Sequence, residues 1–136
     1  MTPTYSTLAL ILILGASSCS RQNEKSPELI EANRLHLEAM KISEQLEQKL
    51  DSLSVQAKDN VAKSQLDSLK NLVEVWKENM IEVPGFAHAH DHAHGAHSHK
   101  SAPPMTDESM LDYQRQSREA IAELKEALAK WDSLKK

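Results

Sequence analysis

The sequence predicts an all-α fold, either a small antiparallel three-helix bundle or a long helical hairpin, with a disordered His-rich linker ahead of the last helix. Three observations predict it. From Glu28 to Val83 there is neither Gly nor Pro. Within that stretch, and again beyond residue 105, apolar residues recur at steps of three and four, the period of an amphipathic helix. Between the two lies a run, residues 84–104, made almost entirely of His, Ala, Ser, Gly and Pro.

Residues 1–18 carry no Asp, Glu, Lys or Arg and hold the apolar run Leu8-Ala9-Leu10-Ile11-Leu12-Ile13-Leu14. That is the layout of a secretory signal peptide. The run is shorter than the roughly 20 apolar residues needed to span a bilayer, and polar sequence follows at once. Residues 19–26 read as Cys19 followed by a short flexible tether, because Ser20 to Ser26 include no apolar residue.

A first helix is expected over 27–58. Ser26 suits the N-cap, Pro27 the first helical position, and Glu28 the positive end of the helix dipole. Its stripe is Leu35, Ala39, Ile42, Leu46, Leu50, Leu53 and Ala57. Lys58-Asp59-Asn60 offers the best turn, since Asp and Asn tolerate turn geometry and cap the next helix. A second helix over 60–82 completes a hairpin spanning 27–83, with Ala62, Leu66, Leu69, Val73, Trp76 and Met80 at steps of four and three. The alternative, one continuous helix of about 55 residues, would run about 80 Å and need a partner chain to cover its stripe.

Val83-Pro84-Gly85-Phe86 stops the helix, because Pro lacks an N–H and Gly is a poor helix former. The third helix is expected over 105–136. Thr106 suits its N-cap, Asp107 and Glu108 its first turn, and Lys135 and Lys136 its last. Its stripe is Met110, Gln114, Ser117, Ile121, Leu124, Leu128 and Trp131. Trp76 and Trp131 both fall on apolar stripes and read as core anchors in preference to a ligand cage.

Chemistry is concentrated in the linker. Six of the seven histidines, His88, His90, His92, His94, His97 and His99, fall there, together with the carboxylate of Asp91. Neutral imidazole is a principal ligand of zinc, nickel and copper, and a site needs three or four donors around one ion. Gly95 and the Ala spacers impose little steric cost on a backbone folding around a metal. Ordering such a loop costs on the order of 1–2 kcal/mol per residue, so micromolar affinity is expected. Two blander readings compete: a solvated low-complexity linker, and a pH-responsive segment whose protonation would reverse the sign of the net charge. His36, alone on the first helix, is expected to be partly buried and is left out of the metal set.

Lys and Arg total 16 against 20 Asp and Glu, a net charge of −4 with neutral His, and aromatics are few. A nucleic-acid binder would be expected to show a basic stripe, so nucleic acid is set aside as a partner. Cys19 is the only cysteine, which leaves no internal disulfide and no cysteine zinc site. Glycine-rich phosphate loops, nucleophile elbows and His-Glu-x-x-His pairs are missing from the sequence, and no enzyme is expected.

The segment Ala16-Ser17-Ser18-Cys19 resembles the lipobox of bacterial lipoproteins, with Ala16 where Leu is usual and no Lys or Arg ahead of the apolar run. The resemblance implies that Cys19 becomes the lipid-bearing first residue of the mature chain, anchored in the bacterial cell envelope at the outer membrane or periplasmic face. The remaining alternative is an ordinary secreted protein with a free thiol. Trp76-Lys-Glu-Asn-Met80-Ile-Glu-Val-Pro84-Gly-Phe86, followed by alternating His, is similar to small helical lipoproteins of Bacteroidota. The expected function is an envelope lipoprotein whose loop binds, buffers or scavenges zinc or another divalent transition metal, with a metal transporter as a partner. The competing expectation is a structural or interaction lipoprotein whose helices pack with a helical partner or a further copy, the His stretch being a linker.

Overall fold

In the computed structural model residues 24–86 and 100–134 are described. They form three helices, α1 (Pro27–Gln56), α2 (Asn60–Asn79) and α3 (Asp107–Leu134), with no strand among the described residues. The bundle runs up, down and up, so α1 and α3 lie parallel with α2 antiparallel to both. Cross-helix pairs fix that register: Glu38 with Arg118 and Lys49 with Asp132 join α1 to α3, and Asp51 with Lys70 and Glu47 with Lys77 join α1 to α2.

Each helix starts where its capping residue allows. The Ser26 hydroxyl accepts from Leu29 N–H at 3.1 Å, with Pro27 at the first helical position. Both Asp59 carboxylate oxygens accept, from Val61 N–H and Ala62 N–H at 3.2 Å. Thr106 Oγ1 accepts from Ser109 N–H at 3.2 Å, and α3 therefore begins at Asp107, directly after the expected cap. Each such acceptor replaces a partner that the first helical turn lacks, a contribution of about 1 kcal/mol. The chain between Glu28 and Val83 is thus two helices and not one, broken at Ala57 to Asp59.

The stripes meet in one main core. Leu46 and Leu50 of α1, Leu66 and Val73 of α2, and Ile121 and Leu128 of α3 are buried there. Fully burying a side chain of this kind stabilises by about 1.5–3 kcal/mol. Trp76 and Trp131 pack half-buried against this core, and their indole N–H groups donate to Ser117 O at 2.9 Å and Gln65 Oε1 at 2.8 Å. α1 packs most extensively on α3, and α2 and α3 touch least.

Two expectations need correction here. His36 is 4% exposed, not half-covered. The reason is that α1 lies between two helices and buries a second seam, His36, Met40 and Ser43, beside the one formed by Leu35, Ala39, Leu46 and Leu50. The second helix ends at Asn79, three residues before the expected 82. Met80 leaves the helix with ψ 132°, and Ile81 turns its backbone to other partners.

Candidate functional site

The C-terminus of α2, the N-terminus of α3 and the N-terminus of α1 lie at one end of the bundle. A few residues could join α2 to α3 there, yet the connection occupies residues 80–106. Both of its ends are built into the fold. Gln114, buried on α3, donates from Nε2 to Ile81 O at 2.7 Å. Tyr113 OH donates to Asn79 O at 2.7 Å, and burial pushes this phenol above its ordinary pKa. Returning chain at Lys100 forms a single parallel bridge with Ile81, and its Nζ donates to Asn79 Oδ1 at 2.9 Å.

The outgoing side turns at Val83-Pro84-Gly85-Phe86. Proline second and glycine third, with Gly85 at φ 79°, is a type II β-turn, which requires the left-handed conformation that a side chain disfavours. Phe86 is directed back onto the fold by that turn, and the Lys25 ammonium sits 3.8 Å from its ring centroid. Such a contact is worth about 0.5–1 kcal/mol at a half-open site.

Beneath these contacts is a second, smaller core. Ala32 of α1, Val83 and Met110 are its buried members, and Phe86, Ala102 and Met105 pack against it. The stretch 84–104, expected as linker, is therefore part of the fold at both ends. Its apolar residues are too few and too irregularly spaced to form a stripe, and they find cover only because three helix ends converge there. Lys25, expected in the tether, is likewise engaged.

The residues expected to carry chemistry, His88, His90, Asp91, His92, His94, His97 and His99, lie in the segment 87–99, outside the described residues, as does Cys19 with residues 1–23. Lys135 and Lys136 also lie outside them. Among the described residues no group of three or more His, Cys, Asp or Glu is gathered closely enough to hold a metal ion. No described helix is long and apolar enough to cross a membrane. What the structure adds is the platform from which the His-rich segment departs at Phe86 and to which it returns at Lys100.

Sequence reasoning missed the platform residues Tyr113, Gln114 and Lys100. Gln114 alone left a signal, as a polar residue at a stripe position between Met110 and Ser117. Elsewhere the titrating groups serve packing: Arg118, donating to Glu38 at 2.7 Å across α1 and α3, holds that carboxyl below the usual range. Open grooves lie between the helices among the described residues. One, of about 410 Å³, lies between α1 and α3 and includes the Lys49–Asp132 pair. Another, of about 360 Å³, lies between α2 and α3. Compared with known proteins, the chain matches no protein-family model, no curated protein and no solved structure.

Proposed function

We propose that this is a lipid-anchored envelope protein, without catalytic activity, whose His-rich segment binds and buffers a divalent transition metal such as zinc. The observation that carries the reading is the combination of position and composition. An excursion of chain is inserted where a short turn would suffice, and six of the seven histidines fall in it. Most connections between helices are short, about 2–8 residues, and the much longer ones often carry function.

The platform supports the reading energetically. Bringing the ends of a loop together costs entropy that grows with its length. With Ile81 beside Lys100 and Phe86 held under Lys25, that cost is already met in the folded protein. Donors on 87–99 then need to gather only locally around an ion. A lipid on Cys19 would keep the binding segment near the membrane surface, since six residues extended from Lys25 reach about 20 Å.

Calorimetric titration with zinc at about pH 7.5 tests this, run beside a variant with His88, His90, His92, His94, His97 and His99 replaced by Ser. One or two ions bound at roughly micromolar affinity, lost in the variant and fading as pH falls through about 6.5, is the expected result. Equal heats from both proteins would overturn it.

A further inference from the structure

We propose that the face shared by α2 and α3 is the interface of a homodimer. The charges of α2 lie on one side of it. Lys63, Asp67, Lys70, Glu74, Lys77 and Glu78 are all its charged residues, and at 3.6 residues per turn they crowd into a sector of about 100°. Two of them reach α1, where Lys70 pairs with Asp51 and Lys77 with Glu47.

The remaining circumference is uncharged and wider than the bundle uses. One seam, Ala62, Leu66, Leu69, Val73, Trp76 and Met80, faces the core. Shifted by one residue runs a second seam with the same steps of four and three: Val61, Gln65, Ser68, Leu72, Val75 and Asn79. All six are exposed, with Val61 at 62%, Leu72 at 49% and Val75 at 45%. Three of the six, Val61, Leu72 and Val75, are apolar side chains that the bundle leaves uncovered.

Across the groove α3 presents Tyr113, Ser117, Ala120 and Leu124, with Glu123 at the rim. Exposed Ala127 continues the line one turn further on. The two walls differ in relief: Leu72 and Val75 project, and Ser117 and Ala120 are small. A ridge on one copy thus faces a trough on another, which is the self-complementarity a two-fold contact requires.

Charge and size favour a second copy over a different partner. Apart from Glu123 at its rim and the Lys100 ammonium on Asn79, the groove offers little charge with which to select one, and its occupant must be largely uncharged along about 30 Å, the length of α2. The second seam of α2 is such a surface. Two copies at net charge −4 each also repel, and a face whose acidic residue, Glu123, is confined to the rim is where they can approach. Two helices about 10 Å apart and about 30 Å long make a face comparable to the roughly 800 Å² per partner of a stable interface.

Sedimentation equilibrium of the full chain, in density-matched mild detergent and under reducing conditions so that Cys19 cannot link copies, tests the proposal. A concentration-dependent dimer is expected. Leu72→Glu on one wall and Ala120→Glu on the other should each weaken it at least tenfold, with helicity by circular dichroism unchanged. Leu37→Glu, an exposed site on α1, should leave it alone. If Leu72→Glu loses helicity, the Ala120 variant decides. A monomer at all concentrations up to hundreds of micromolar overturns the interface, and so does association that neither variant weakens, which would belong to the anchor.

Discussion

At one end of the bundle residues 57–59 reverse the chain between α1 and α2; at the other, residues 80–106 connect α2 to α3. The short turn needs only one capping side chain, Asp59, and contributes little buried surface. The long connection brings its own packing, with Val83 and Met110 in a second core and Ile81 held by Gln114. The loop end is therefore built well beyond what reversing direction demands. What is constructed there is a fixed base for residues 87–99.

Substitutions at the two ends should have unequal effects. Gln114→Leu keeps the volume but leaves the Ile81 carbonyl without its donor, at a cost of about 1–3 kcal/mol. Urea unfolding measures that cost, and amide exchange should quicken at residues 80–83 and 100–102 while the residues around Asp59 stay as protected as before. Uniform quickening would mean that the base is no separate unit. At the opposite end, Asp59→Ala should cost about 1 kcal/mol, confined to the start of α2. A loss equal to that of the Gln114 variant would erase the contrast between the ends.

The smallest effect belongs to neither end. Glu38 titrates below its ordinary value because Arg118 donates to it, so the pair's stabilisation is present above the unfolded carboxyl's pKa of about 4.3 and is lost as pH falls through the lower folded value. The pair is partly exposed, and the contribution should stay under about 1 kcal/mol. Arg118→Gln should remove this part of the acid dependence. An unaltered acid profile in that variant would show the pair contributes nothing.

Much of this was legible in the residues themselves. Ser26, Asp59 and Thr106 announced the helix starts because capping is local chemistry, and the stripes named the main core because periodicity is a property of one helix. Met80, Ile81 and Val83 were harder to read. They look helical by composition, and only the distant Gln114 and Lys100 draw them out. His36 was misjudged for a related reason: a second buried seam on α1 depends on how closely its neighbouring helices approach, which no single helix encodes. The sequence's most chemical feature, the histidines of 88–99, follows from composition alone, whereas the base beneath it depends on tertiary contacts.

Trp76 sits toward the end of α2 that meets the long connection, and Trp131 near the end of α3 beside the short turn, each with a different indole partner. The protein thus holds an intrinsic fluorophore at each extremity. With one or the other replaced by Phe, emission from Trp76 would follow events near the His-rich segment, and emission from Trp131 would follow the opposite pole, without any label being attached.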